Sequence, residues 1–467
     1  MRQRTAIVIG GGIGGLTAAV ALERRGWSVT VLERAAALEP VGAGIGLAPN
    51  AQRALDTLGA GDAVRAMAAW QAAGEMRLPS GRRLARTDNA AAVRRFGDPV
   101  VVAHRADLVA LLADRLPEGA VRTGVTAALV EAGDPARDDR PARVRVTGDT
   151  GASGDGLRGG RGGEGDSLRA ADRTADRPAD RPAGRASAPA AARTPELTAA
   201  RTSELTADLV VAADGIHSAV RRAVFPGHPE PRYAGCTAWR FVVPAPARPY
   251  TAHETWGPGG LWGSFPLHDG RVYAYATATV PPGGRAPDDE RAELLRRFGH
   301  WHHPVPALLA AVDPAAVLRN DVATAAAPPP AFHHGRVALL GDAVHPMAPH
   351  LGQGGCQAIE DAVVLAYEAA PDADLGAALA AYTRRRLPRT MDVVRRSERI
   401  ARLSAVRSRP ACALRAAAMA LTARCAPDLA LRSLDGIADW RPPAATYASG
   451  ASGTRGARAA VLPKENE

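Results

Sequence analysis

The sequence predicts an α/β protein in which a parallel-sheet domain is interleaved with an antiparallel-sheet domain and followed by C-terminal helices. Three observations predict it. A continuous apolar run at Ala6–Ile9 and strands at Asp208–Ala213 and Arg336–Leu340, apolar after their first residue, each deliver the chain into a glycine-bearing turn, as strands buried on both faces do. The runs Thr237–Val243, Gly260–Leu267 and Arg271–Thr277 instead alternate between Gly and Pro turns, as antiparallel strands with one covered face do. Beyond residue 352, apolar residues recur at helical spacing over Gln353–Ala369 and Leu375–Arg407.

In chain order, the first strand is followed by the glycine cluster Gly10–Gly15. A helix then runs over Leu16–Arg25, with Gly26 as its C-cap. Ser28–Leu32 is the second strand. Further strands are expected at Val100–Ala103, Ala120–Arg122, Ala127–Val130 and Arg143–Val146, with a helix over Arg105–Arg115. Between residues 148 and 201 Gly, Ala, Pro, Asp and Arg dominate, and short tandem copies such as Ala175-Asp176-Arg177-Pro178 and Ala179-Asp180-Arg181-Pro182 appear. Such a segment buries too little apolar surface to offset its ordering entropy. It reads as a disordered insertion in a hairpin between Val146 and Asp208. Helices are expected at Asp288–Phe298 and His303–Ala311, with more helix after Pro410 and a loose tail from Arg441.

Composition narrows the class. At 467 residues, 46% hydrophobic and 23% charged, the chain has room for two or three domains with large cores. No apolar run approaches the ~18 residues of a membrane span, and the N-terminus enters a strand directly, unlike a secretory signal. Four cysteines without a C-x-x-C spacing give neither a disulfide scaffold nor a Cys-rich zinc site, and fit the reducing cytoplasm. The net charge of +10 arises after residue 383, where 17 basic residues face 7 acidic ones. Only Trp440 and Tyr447 are aromatic there, so a solvated helix face is expected rather than nucleic-acid binding.

Three motifs carry the chemistry. Gly10-Gly11-Gly12-Ile13-Gly14-Gly15 is a G-x-G-x-x-G between strand and helix. Gly10 permits the tight turn, Gly12 a close approach of backbone to a pyrophosphate, and Gly15 close helix–strand packing. The helix N-terminus adds free N–H groups and positive dipole. Glu33 stands 18 residues after Gly15, where an acid accepts hydrogen bonds from an adenosine ribose and disfavours a 2′-phosphate. The ligand expected is therefore FAD or NAD. The second motif is Asp214-Gly215 at the end of the strand Asp208–Ala213. The third is Gly341-Asp342 after Arg336–Leu340, continuing into a second glycine-rich turn, Gly352-Gln353-Gly354-Gly355. Both deliver an acid to the carboxyl edge of a parallel sheet, where ligands of such sheets bind. An ordinary NAD dehydrogenase has no reason to carry either.

Taken together, the three motifs in this order closely resemble the FAD-dependent monooxygenases of the aromatic hydroxylase type, the family of p-hydroxybenzoate and salicylate hydroxylases. The resemblance covers nearly the whole chain except the insertion. It implies a Rossmann-like FAD-binding domain over 1–75, 105–147, 205–230 and 331–383, interleaved with a substrate domain over 76–104 and 231–330. The insertion then spans 148–204, C-terminal helices 384–440 and the tail 441–467. It also implies that Gly10, Gly12, Ile13, Gly14 and Gly15 bind the FAD pyrophosphate, with Glu33 and Arg34 at the ribose. Arg105 would reach the phosphates and ribityl, and Val125 would offer backbone to the adenine. Asp342, after Gly341, would hold the ribityl or ribose hydroxyls, and Asp214 would be associated with both FAD and the pyridine nucleotide. Gly352, Gly354 and Gly355 would line the flavin pyrimidine edge.

The family chemistry follows as implication. NADPH or NADH reduces FAD, dioxygen forms a flavin C4a-hydroperoxide, and one oxygen atom passes to an aromatic or polycyclic small molecule. Such a reaction needs a dry pocket and sometimes a phenol base, but no metal. Pocket candidates are Trp239, Arg240, His253, Trp256, Trp262, Phe265 and Tyr275, with His253, Arg240 and His350 as candidate catalytic groups. Trp239 and Arg240 must face opposite ways in one regular strand. His300, His302 and His303 lack an acidic partner and are not expected to bind metal. The alternatives are an epoxidase of an alkene, a prenyl-reducing flavoprotein, and a flavin- or partner-binding protein without turnover. A flavin halogenase is set aside, because Lys464 is the only lysine and that chemistry relies on a lysine beside the flavin. The oligomeric state is not legible.

Overall fold

The computed structural model describes residues 2–38, 43–69, 73–148, 202–425, 431–432 and 434–443. Its centre is a six-stranded sheet in the order His333–His334, Val337–Leu339, Leu209–Ala212, Thr5–Ile9, Ser28–Leu32, Val121–Arg122. Every pairing is parallel except that of the edge strand His333–His334. Thr5–Ile9 lies in the middle, with Ile7 opposite Val210 on one side and Thr30 on the other. Its apolar residues are almost wholly buried, because helices cover both faces of a parallel sheet. The helix Ile13–Glu23 is buried over most of its length and packs beside Gly354–Glu368. Alanine and glycine on both helices permit that closeness.

The second large sheet has seven strands, in the order Leu318–Thr324, Arg232–Pro244, Arg271–Ala278, Gly260–Pro266, His253–Gly257, Ala73–Arg77, Arg83–Asp88. All neighbours are antiparallel except His253–Gly257 with Ala73–Arg77, which arrive from distant parts of the chain and run parallel. One face packs Trp239, Phe241, Trp262, Ala274 and Ala276 under the helices Glu290–Phe298 and Val305–Ala311. The other presents Tyr273 and Tyr275 with Val242 and Leu318 to Ala43 and Val102. Burial of the Trp and Phe side chains on the covered face contributes roughly 2–3 kcal/mol each.

Several expectations shift. Val101–His104 leaves the large sheet and pairs instead with Gly44–Leu47 in a two-stranded ribbon. The range 76–104 is therefore not a uniform set of substrate-domain strands, and it also contains the helix Asn89–Phe96. The flanks of the expected insertion close as a hairpin, with Val146 opposite Ser203 and Ala142 opposite Ala207. The returning strand begins at Thr202, so residues 202–204 are strand rather than insertion. Residues 149–201 lie outside the described residues, as does most of the 441–467 tail. The helix expected from His303 starts at Val305, after Pro304. The long helix Leu375–Ser404 runs through Pro388 and is capped by Asp374, whose side chain accepts from Ala377 N. Among the described residues no helix is long and apolar enough to cross a membrane.

Candidate active site

The three motif turns emerge from neighbouring strands of the parallel sheet, at its carboxyl edge. Gly10, Asp214 and Gly341 follow Thr5–Ile9, Leu209–Ala212 and Val337–Leu339, which are adjacent in that sheet. Cross-contacts hold the turns together. A Cβ on Gly10, whose φ is +110°, would sit 2.3 Å from the Ala213 carbonyl oxygen. One on Gly14 would sit 2.8 Å from Leu340 Cδ1. The buried Arg221 donates to the carbonyls of Ile216 at 3.1 Å and Ala343 at 3.0 Å, tying the second turn to the third.

The glycines divide by role. A Cβ on Gly15 would lie 2.0 Å from the Gly10 carbonyl oxygen, so this position is fixed by packing. At Gly12, the N-cap of Ile13–Glu23, an added Cβ meets nothing within 4 Å. Its freedom from neighbours leaves an open cradle at a helix N-terminus, the geometry that receives a phosphate. Glu33 closes one side. Its carboxylate accepts from Gly11 N at 2.6 Å and Ala35 N at 2.9 Å, which leaves lone pairs for a ribose. Arg34 beside it is exposed. Ile13 is buried in the core and can contribute only backbone to the cradle. The Val125 N–H donates to the Glu33 carbonyl at 2.9 Å, so this N–H is not free for an adenine.

Further along the groove, Arg105, Asp342, Arg240 and Tyr273 influence one another electrostatically. Arg105 and Asp342 keep solvent access although protein surrounds them on the other sides. Burial pushes the Asp342 carboxyl up, while His345, Arg105 and Arg240 pull it back. Burial likewise lowers Arg105, with Asp342 opposing and Arg240 assisting. Asp214 accepts from Val220 N at 3.2 Å through Oδ2, while its Oδ1 is buried without a partner. At the far turn, Gly352 (φ +61°) meets nothing within 4 Å and Gly354 only Met347 Cγ at 3.9 Å. Gly355 is fixed by packing, since a Cβ there would sit 2.7 Å from Ile45 Cδ1. The open cradle, the orphaned Asp214 oxygen and the groove-facing Arg105 and Asp342 all fit an extended flavin dinucleotide.

The FAD binding domain family matches residues 3–132 and 187–397. The chain belongs to the FAD-dependent aromatic monooxygenases. It is 36% identical over 418 residues to the aurachin C monooxygenase/isomerase of Stigmatella aurantiaca, covering 88% of this chain and 92% of that protein. It is 33% identical to the 3-amino-4-hydroxybenzoate 2-monooxygenase of Streptomyces cremeus, covering 84% and 86%. The crystal structure of Klebsiella pneumoniae HpxO complexed with FAD and uric acid superposes with a TM-score of 0.73 at 27% identity, over 93% of this chain and 97% of that one. The fold is accordingly the FAD-binding hydroxylase fold, and FAD is the cofactor.

Within this monooxygenase the pocket candidates separate by face. Trp239 and Arg240 do point opposite ways. Trp239 is buried under the helices and donates Nε1–H to Glu290 at 2.7 Å, whereas Arg240 faces Asp342 and Tyr273. Trp262 shares the helix-covered face and cannot line the flavin side. His253 is opposite Ser264, in register with that same face, and its Nδ1 bonds the Thr251 carbonyl at 2.8 Å. A flavin-side base role for His253 is thereby corrected, since a one-residue step along a strand reverses the face. Phe265, Tyr275 and Trp256 fall on the groove side by the same register. His350 bonds Ser404 at 3.0 Å, and burial lowers its pKa to about 4, which leaves it neutral. His302 is engaged by Thr255 at 2.8 Å and by the His303 carbonyl at 2.6 Å.

A buried ionic network behind the turns was not anticipated. Arg386, 1% exposed, bonds Asp361 at 2.6 Å and Glu360, both fully buried. Arg389 reaches Glu360 at 2.7 Å, and Asn50 donates to Glu360 at 2.6 Å and to Gln353 at 3.1 Å. Asp361 in turn accepts from Gly341 N at 3.1 Å and meets His345 Nε2 at 2.5 Å. The network therefore fixes both glycine turns of the third motif from behind. Its signal in the sequence is the acid pair inside Ala358-Ile359-Glu360-Asp361-Ala362-Val363, an apolar helix that has no reason to bury two carboxylates without cations.

Proposed function

We propose that this enzyme uses NADPH or NADH and dioxygen to insert one oxygen atom into an aromatic or polycyclic small molecule. The observation that carries this reading is a convergence at the carboxyl edge of the parallel sheet. Three motif turns leave adjacent strands there, Gly12 is open at a helix N-terminus, and Asp342 of the third turn lies within electrostatic reach of Arg105 and of Arg240, which neighbours Tyr273 on the aromatic face of the seven-stranded sheet. FAD bound there supplies electron storage and dioxygen activation, with the second oxygen atom leaving as water.

The chain's own residues hold and orient. The N-terminus of Ile13–Glu23 and Gly12 would take the pyrophosphate, Glu33 the ribose and Asp342 the ribityl hydroxyls. Arg105 adds positive charge beside the phosphates. The N-terminus of Gly354–Glu368, entered through the open Gly352, points N–H groups at the site where a reduced flavin carries negative charge. Asp214, with one oxygen already on Val220, has the other available for a dinucleotide hydroxyl. Arg240 is poised at the junction of flavin and substrate. No side chain in the groove needs to act as a nucleophile, so Cys356 stays an inert thiol, pushed up to about 12 by burial.

The test begins with the purified protein, which is expected to be yellow. NADPH or NADH oxidation and oxygen consumption should rise when phenols are added, with a hydroxylated product recovered. Stimulation by isolated alkenes alone would move the reading to an epoxidase. A flavin-loaded protein that oxidises neither nicotinamide with any aromatic would overturn it.

A further inference from the structure

The cofactor reading leaves one partly buried acid unused. Glu254 sits in His253–Gly257, and the register places it in a straight row across the groove face. Arg240 is opposite Tyr275, Tyr275 is opposite Gly263, and Gly263 is opposite Glu254. Three strand spacings separate the ends of the row, on the order of 14 Å between backbones. Arg240 marks the end nearest Arg105 and Asp342. Glu254 marks the other.

The row is built to bring Tyr275 onto Glu254. A Cβ at position 263 would lie 2.4 Å from the Tyr275 ring, so only glycine there lets the ring lie across the neighbouring strand. The Tyr275 hydroxyl then donates to Glu254 Oε1, and Trp256 donates Nε1–H to Oε2 at 3.3 Å. Phe265 stacks parallel to Tyr275 with ring centroids 5.9 Å apart, and Tyr273 stands 5.7 Å from it. Among the described residues Glu254 has no ion pair. Neither cation near its strand reaches it. Arg77 pairs with Glu75 on the opposite face, and Arg415 lies over the Trp256 ring and donates to the carbonyls of Leu403 and Gly257, its Nε being left without a partner. Glu254 and Tyr275 are nonetheless partly exposed, so they line space rather than fill it.

A carboxylate with two donors and no cation keeps lone pairs that only a further donor can satisfy. Leaving them unsatisfied once a bound molecule has displaced the water is costly. An approaching anion would meet repulsion. We propose that Glu254, held by Tyr275, binds the end of the substrate remote from the flavin, and that this end carries a hydrogen-bond donor, an amino, ring N–H or hydroxyl group, and not a carboxylate. This inference rests on the reading of the groove as an oxygenase pocket and adds to it the polarity of the substrate. An arginine at the flavin end and an acid at the far end select an aromatic molecule with an acceptor at one end and a donor at the other. Burial raises the Glu254 carboxyl, while the donors Tyr275 and Trp256 oppose that shift by favouring its ionised form.

The test is calorimetric titration of the FAD-loaded enzyme with 4-aminoacetophenone, 4-quinolone, 4-methylacetophenone and 4-acetylbenzoate, which share an acceptor carbonyl and differ in the group at the other end. The first two are expected to bind at least about tenfold more tightly than the last two, as a site built to hydrogen-bond a donor rejects analogues without it. Glu254→Leu should erase that preference, with flavin absorbance and melting temperature confirming an intact fold. Gly263→Ala, which drives the Tyr275 ring off its seat, should erode it in the same direction. Tighter binding of the carboxylate or the methyl analogue, no binding of either donor, or a preference that survives Glu254→Leu would overturn the proposal. These outcomes are separate from failure of the oxygenase reading, which would show as absent nicotinamide oxidation whatever the binding order.

Discussion

The carboxyl edge of the parallel sheet and the groove face of the seven-stranded sheet meet at one site but are built by different means. The first is made of backbone. Its chemistry lies in N–H groups at Gly12 and Gly354 and in carboxylates at turn ends, and its glycines are dictated by clearances as small as 2.0 Å. The second is made of side chains, and which of them reach the groove depends on strand register alone. Trp239 and Arg240 are neighbours in sequence, yet one is core and the other faces Asp342 and Tyr273. Backbone sites tolerate almost no substitution and are general to a cofactor. Register-built faces can exchange residues and so set substrate choice.

That contrast can be broken from the backbone side first. Arg386→Met removes the cation shared by two buried carboxylates and is expected to cost about 3 kcal/mol or more in denaturant unfolding. A loss under about 1 kcal/mol would mean the turns do not depend on the network. The same network predicts an acid limb. Burial opposes ionisation of Asp361, but His345 and Arg386 hold its carboxyl down to about 2, and Glu360 is lowered in the same way by Arg386 and Arg389. Depressed carboxylates add stability that is complete above their unfolded values, near about 4, and that is lost as pH falls through the folded values. Melting temperature should therefore fall between about pH 4 and 2, and Arg386→Met should blunt that fall.

Gly15→Ala and Gly12→Val sharpen the comparison inside one motif. The first pushes a methyl onto the Gly10 carbonyl oxygen and should destabilise by roughly 3 kcal/mol. The second places its Cβ where no protein atom lies within 4 Å, so the fold should survive while the flavin colour is lost on gel filtration. Equal loss of stability in both variants would remove the distinction between packing and cradle glycines. Asp342→Ala should weaken FAD retention by about tenfold, through loss of roughly one charge-assisted hydrogen bond, as read by equilibrium dialysis. The smallest effect belongs to the covered face. Trp239→Phe deletes the bond to Glu290 and should cost about 1 kcal/mol, leaving KM for the aromatic substrate unchanged. A shift in KM there would mean that the two faces communicate.

The sequence by itself determined the parallel strands, the cofactor turns and the order in which they occur. Apolar runs ending at Ile9, Ala213 and Leu340 leave few other places for a chain to go, and glycine at 10 and 15 admits no other residue. These are local requirements of sterics and hydrogen bonding, so a single strand–turn–helix displays them. The tertiary structure alone decided what lies far apart in the chain. It paired Val101–His104 with Gly44–Leu47, set Ala73–Arg77 parallel to His253–Gly257, and took the Val125 N–H for the Glu33 carbonyl. It also assembled Glu360, Asp361 and Arg386 into one network, and turned His253 away from the groove while turning Glu254 towards it. The reason is periodicity. A strand shows that its two faces differ, but only the partners it finds across the fold fix which face is which.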